Sequence, residues 1–202
     1  FDIHQLQWCD ESLKFAGISA EKLSIPVSST QAFTKLKEEY RLGFGLPDDI
    51  LFLIGAGDGC LANIGAGAVL PGELALTIGT SGAVRKIGDQ PVDDIKQRLF
   101  NYRLDEKTYL SGGAINNGGI ILKWVMDVFL NNDLSEQKKM KEIMEKAASV
   151  PAGSMGLIFL PYVYGERAPV WDAAAKGVFV GISPVHTRAH FIRAVLEGIC
   201  FS

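Results

Sequence analysis

Ile54-Gly-Ala-Gly-Asp58-Gly-Cys-Leu-Ala-Asn63-Ile-Gly65-Ala-Gly67, followed by Leu76-Thr-Ile-Gly79-Thr80-Ser81-Gly82-Ala, is the stretch on which the reading of this chain turns. The apolar run Leu51-Phe-Leu-Ile54 leads into a glycine-rich turn that carries one carboxylate. A continuous apolar run bounded by glycines has the pattern of a buried parallel strand, and 51–54 is expected to be one. The small residues from Cys60 to Ala68 are expected to form a closely packed helix. Pro71-Gly72 marks a turn, and Leu74–Ile78 and Ala83–Ile87 are expected to pair as a hairpin around Thr80-Ser81. A domain boundary is placed here, giving 1–72 and 73–202.

Working outward, Trp8–Ala16 reads as a short helix ended by Gly17, and Thr34–Leu42 as another ended by Gly43. On the other side, 101–104 and 108–110 read as strands that turn through Asp105-Glu106-Lys107. Ile121, Trp124, Val125, Val128 and Phe129 follow helical spacing, as do Met140, Ile143, Met144 and Ala147. Short strands are expected at 157–160 and 177–182. A final amphipathic helix within 184–202 is expected to carry Phe191, Ala194, Val195, Gly198 and Ile199 on one stripe. Hairpins followed by alternating helix and strand predict an α/β fold with a mixed sheet.

Four places carry chemistry. Asp58 lies between two glycines, so a ligand can approach its carboxylate closely and lose a hydroxyl proton to it. The same Asp would also serve simply to satisfy turn N–H groups. Gly79-Thr80-Ser81-Gly82 can turn N–H groups and two hydroxyls toward an anion, or be an ordinary hairpin turn. Asn116-Asn117-Gly118-Gly119 opens the helix that contains Trp124. A helix start is a phosphate site through its free N–H groups, although Asn there is also a common cap. Tyr164-Gly165-Glu166-Arg167 follows a strand, and Glu166 and Arg167 can hydrogen-bond a polyhydroxy or carboxylate substrate, or form a solvated charged loop. Together the first two places point to phosphoryl transfer to a small polyol or sugar.

Other classes are argued down. The net charge of −3 carries no basic stripe for nucleic acid. No apolar run approaches the roughly 18 residues of a membrane span. Cys9, Cys60 and Cys200 are odd in number and lack CxxC spacing, which fits a reducing cytoplasm better than a disulfide framework or a zinc site. His186 and His190 stand i,i+4, but no HExxH glutamate separates them, and no metal site is assigned. There is no GxxxxGK[ST] loop. Cys60 stands where the third glycine of a GxGxxG fingerprint belongs, so a dinucleotide oxidoreductase is a weak reading.

The residues resemble the FGGY family of carbohydrate kinases, of the actin-like ATPase superfamily. Gly177-Val-Phe-Val-Gly181-Ile-Ser-Pro-Val-His186-Thr-Arg-Ala-His190-Phe-Ile-Arg-Ala194-Val-Leu-Glu197 is similar to that family's C-terminal signature. Gly-Asp58-Gly and Gly79-Thr80-Ser81-Gly82 are similar to its catalytic and phosphate-binding motifs, and the resemblance covers nearly the whole chain. It implies an actin-like, ribonuclease H-like α/β fold. Residues 1–72 would be the end of the first domain and 73–202 the front half of the second, with a cleft between domains that close on substrate.

The resemblance also implies ATP-dependent phosphorylation of a sugar or sugar acid at a terminal hydroxyl. D-gluconate, giving 6-phosphogluconate, is the first expectation and D-xylulose the second. Asp58 would be the base, and Gly79, Thr80, Ser81 and Gly119 would lie at ATP, accompanied by Mg2+. Asp58 would thereby contact the sugar, and Glu166 and Arg167, from the reading of the residues themselves, are the other candidate sugar contacts. The family's N-terminal Asp-x-Gly-Thr loop and late adenosine motif are not in this sequence. The chain is therefore expected to be an internal piece that does not catalyse alone. A homodimer is compatible with it. A non-catalytic sugar or nucleotide sensor is the alternative of another class, against which the intact Asp58 speaks.

Overall fold

A computed structural model describes residues 1–130 and 133–202. The chain divides into two units, 1–75 with 86–93 and 101–111, and 76–85 with 94–100 and 112–202.

In the first unit, α1 (Asp10–Ala16) ends at Gly17 as its sequence predicts, with Asp10 and Glu11 in the first turn and Lys14 in the last. Those charges suit the helix dipole. The two-residue strand β1 (Ala32–Phe33) is followed by α2 (Glu38–Gly43), which begins later than the expected Thr34 and ends at the expected glycine. β2 (Phe52–Leu53) corrects the strand expectation for 51–54. It pairs antiparallel with β1, Ala32 opposite Leu53 and Phe33 opposite Phe52, and its residues are exposed. An unbroken apolar run suits a strand covered on both faces, but among the described residues β2 has β1 as its one strand partner. α3 (Asp58–Gly65) starts two residues before the expected Cys60, with Asp58 in its first turn, and it buries Cys60 and Asn63. The Asn63 amide closes the helix end by donating to the Ala68 carbonyl at 3.0 Å.

β3 (Ala75–Ile78), β4 (Gly82–Gly88), β5 (Phe100–Arg103) and β6 (Tyr109–Ile115) form one sheet in the order β3-β4-β6-β5. β3 and β4 are joined by the short Gly79–Ser81 turn, which only antiparallel neighbours allow. Both hairpins thus stand where their turn residues put them.

The core of the second unit is helical on one side and aromatic at its centre. α4 (Gly119–Phe129), α5 (Glu136–Ala148), β7 (Ile158–Leu160), β8 (Val178–Val180) and α6 (Arg188–Phe201) bring Ile121, Val125, Ile143, Leu157, Phe159, Ile192 and Val195 into one buried cluster. β7 and β8 pair antiparallel, Phe159 opposite Phe179, with ring centroids 4.4 Å apart. Trp124 of α4 stacks on Phe159 at 6.0 Å, and Phe191 of α6 meets Phe179 edge-on at 5.0 Å. β7 is buried on one face only, because Phe159 points inward while Ile158 and Leu160 are exposed.

The α5 stripe rotates from its sequence expectation, and the α6 stripe does not. On α5 the buried positions are Lys139, Ile143 and Ala147, while Met140 and Met144 face out. The Lys139 stem is the apolar surface used there, and its ammonium lies 3.9 Å from Asp127. On α6 the expected stripe holds and Ile192 joins it, since this helix packs against α4, α5 and β7 at once.

α6 is opened by a capping box between Thr187 and His190, the third helical residue. His190 accepts the Thr187 N–H at 3.1 Å through Nδ1, the part that Glu or Gln usually plays. Thr187→Ala is expected to destabilise the protein by about 0.5–2 kcal/mol, read as a lower urea midpoint with an unchanged slope. An unchanged midpoint would mean that core packing alone sets the start of α6.

Candidate functional site

Asp58 lies in the first unit, exposed at the start of α3. Its Oδ1 accepts the adjacent Gly59 N–H at 2.7 Å, a contact that orients the carboxylate. Among the described residues the other oxygen has no protein donor and no ion pair. One oxygen is therefore fixed by the turn and the other is open to a ligand proton, the division of labour a general base needs.

The remaining predicted residues lie in the second unit. Thr80 and Ser81 sit exposed at the tip of the β3–β4 turn, closed by the Gly79 N–H donating to the Ser81 carbonyl at 2.8 Å. Neither hydroxyl bonds to the protein among the described residues. Two hydroxyls without protein partners on a glycine-flanked turn are a donor set suited to phosphate oxygens.

Gly119 is brought directly against this turn, though not as the sequence suggests. Its N–H donates to the Gly79 carbonyl at 2.7 Å, and the Ile120 N–H donates to the Thr80 carbonyl at 3.1 Å. The opening N–H groups of α4 are thus engaged by the turn, so this helix start is a brace for the turn and not an open anion site. The approach leaves no room for side chains. A Cβ at Gly119 would lie 2.6 Å from the Gly79 oxygen, and one at Gly118 would lie 2.7 Å from the Ser81 backbone.

Asn117 is not the cap of α4, a position held by Gly118. Its buried amide reaches across to the 164–168 loop instead, donating to the Gly165 carbonyl at 2.6 Å and to Glu166 Oε2 at 2.8 Å. The Tyr164 N–H donates back to its Oδ1 at 3.1 Å. Glu166 is only 2 % exposed. Its Oε1 accepts the N–H groups of Asn116 at 2.6 Å and Arg167 at 2.8 Å. Arg167 is half-buried, with one guanidinium nitrogen donating to the Ile115 carbonyl at 2.9 Å and Nε without a partner among the described residues. Sequence reading marked Asn117 and Glu166 separately. Their pairing, across 49 residues of chain, carries no local signal.

The histidines and Glu197 of the C-terminal segment have structural work. His186 Nδ1 accepts the Ser183 N–H at 3.0 Å, and Glu197 holds the Gly153 N–H at 3.0 Å and Arg193 at 2.6 Å. This segment ties α6 to the loop that precedes β7.

Residues 74–202 match the C-terminal domain model of the FGGY family of carbohydrate kinases, and residues 1–65 match its N-terminal domain model. The chain is 41% identical to a gluconokinase of Bacillus subtilis (strain 168) over 202 residues, covering 98% of this chain and 39% of that protein. Two solved structures from Lactobacillus acidophilus, each 41% identical, superpose closely. A ligand-bound xylulose kinase has a TM-score of 0.88 over 99% of this chain and 40% of its own. A gluconate kinase has a TM-score of 0.87 over 96% of this chain and 39% of its own. The sugar-kinase architecture expected from the sequence is thus the one observed, and the chain spans about two-fifths of the length of these relatives. By both domain matches, the chain belongs to the FGGY family of carbohydrate kinases.

Proposed function

We propose that the full-length protein carrying this chain is an ATP-dependent carbohydrate kinase whose preferred substrate is D-gluconate, phosphorylated at its terminal hydroxyl. The observation that carries the reading is the pair of motifs with open polar groups. Among the described residues, Asp58 has one oxygen oriented and one without a protein partner, and the Gly79–Gly82 turn presents Thr80 and Ser81 with neither hydroxyl bonded to the protein. ATP would supply the phosphoryl group, with Mg2+ spreading its charge. Thr80 and Ser81 would hold phosphate oxygens, and Gly119 would brace their turn. Asp58 would orient the sugar hydroxyl and take its proton as the oxygen attacks. Arg167 has donors to spare for a substrate carboxylate, which a sugar acid has and a ketose lacks.

The domain division that goes with this reading is 1–72 as the end of the N-terminal domain and 73–202 as the front of the C-terminal domain, and the family matches at 1–65 and 74–202 support it. A reducing cytoplasm suits three cysteines that are all thiols.

Gluconate is placed before xylulose on the whole-chain likeness to a gluconokinase and on Arg167. The test is ADP release by the full-length protein with ATP and Mg2+, comparing D-gluconate with D-xylulose. A preference for gluconate in kcat/KM on the order of 100-fold or more is expected. A preference for xylulose would overturn the substrate and leave Asp58 its role. Ligand-induced stabilisation without turnover would favour a sensor instead.

A further inference from the structure

We infer that Glu166 is a positioning residue for the Gly79–Gly82 turn and does not touch the sugar. The inference rests on the reading of that turn as the phosphate site. A carboxylate in a sugar site needs free lone pairs that a ligand can reach, and Glu166 is buried with both of its oxygens already accepting from the protein. It is 2 % exposed, with Oε1 taken by two backbone N–H groups and Oε2 by the Asn117 amide.

What those bonds hold is the segment just before α4. The Asn116 N–H and the Asn117 side chain are anchored on Glu166, and Asn117 is anchored again on the Gly165 carbonyl and the Tyr164 N–H. Arg167 and Ala168 add bonds to the Ile115 and Ala114 carbonyls at 2.9 and 3.0 Å. The 164–168 loop is thereby zipped along the end of β6.

Two residues further on, Gly118 and Gly119 press against Ser81 and Gly79, and the Gly119 and Ile120 N–H groups hold the turn's carbonyls. The connection therefore runs Glu166, Asn116–Asn117, Gly118–Gly119, Gly79–Thr80. The links are hydrogen bonds at Glu166 and at the turn, joined by the chain from Asn116 to Gly119, with no room for a Cβ at Gly118 or Gly119. The buried Glu166 and Asn117 side chains are hydrogen-bonded through both of their polar ends, which favours one geometry, and a displacement of about 1 Å in a ligand-holding group is enough to cost on the order of 100-fold.

The same network explains why Glu and not Gln suits position 166. All three partners are donors, so an amide would turn an NH2 group toward at least one N–H and leave it unpaired.

The test compares Glu166→Gln with wild type in the full-length protein, measuring KM for ATP, KM for the sugar, kcat, and ligand-free amide hydrogen exchange at 76–85 and 114–121. A rise of about 10- to 100-fold in KM for ATP is expected, with the sugar KM within about twofold and faster exchange in both segments. Asn117→Ser removes the amide bridge but keeps both backbone donors to Glu166, and it is expected to give the same pattern at smaller amplitude. It stands in if Glu166→Gln does not fold.

A rise in the sugar KM with an unchanged ATP KM would overturn the inference and return Glu166 to the substrate. Unchanged exchange at 76–85 in both variants would overturn it as well. Absence of wild-type turnover with any sugar would sink the kinase reading alone. The exchange comparison needs no turnover and decides the brace by itself.

Discussion

Asp58→Asn in the full-length protein is expected to lower kcat by about 10²- to 10⁴-fold, the range over which a positioned general base contributes. KM for ATP is expected to stay near its wild-type value. The substitution is well suited to the question, because the contact Asp58 makes with the protein is one that Asn can also make. Asn Oδ1 can accept the Gly59 N–H that Asp58 accepts at 2.7 Å, so the turn keeps its shape. What is lost is the carboxylate's ability to take a proton at the free oxygen.

The side chain is exposed and makes no ion pair among the described residues, so the unfolding free energy is expected to change by no more than about 0.5 kcal/mol. Steady-state kinetics with a saturating sugar, alongside urea unfolding, checks both halves. A variant that keeps its activity would remove Asp58 from the chemistry. One that loses activity together with stability would assign it to the turn.

Gly119→Ala is expected to act on the other side of the reaction. A Cβ there would meet the Gly79 carbonyl oxygen at 2.6 Å, and that atom is backbone, not the movable end of a side chain. Either α4 or the turn must shift, and the Gly119 N–H bond to Gly79 lengthens in both cases. Overpacking of this kind costs about 1–3 kcal/mol, and the accompanying displacement of the Thr80 and Ser81 donors is expected to raise KM for ATP by about 10- to 100-fold. Urea unfolding and the ATP dependence of turnover give the two readouts. A stable variant with wild-type KM for ATP would show that the turn does not depend on α4. Unlike Asp58→Asn, this variant is expected to lose nucleotide affinity and stability together, so the pair separates proton transfer from phosphate positioning.

How far the chain could be read from its residues depended on the range of the interaction. α1 ends where Gly17 predicts, and the β3–β4 and β5–β6 hairpins form around their turn residues, because capping and turn formation involve neighbours in sequence. α6 keeps its predicted stripe because the helical period that sets it is local, and α4, α5 and β7 cover that face. The expectation of a buried parallel strand at 51–54 fails because an apolar run does not say which strand will lie beside it. The α5 stripe departs from expectation because a lysine stem can fill a core position that hydrophobicity assigns to methionine.

The site followed the same rule. Residue type and local pattern single out Asp58, the Gly79–Gly82 turn, Gly119, Glu166 and Arg167 as candidates. They were not enough to say which of these groups remain available once the chain folds. Among the described residues, Asp58 keeps an oxygen without a protein donor, and the Thr80 and Ser81 hydroxyls make no bond to the protein. The opening N–H groups of α4 are engaged by the turn, and Glu166 is engaged by donors up to 50 residues away in the chain. A buried polar group must find its partners wherever the fold brings them. Its availability to a ligand is therefore a property of the packed molecule and not of its neighbours in sequence.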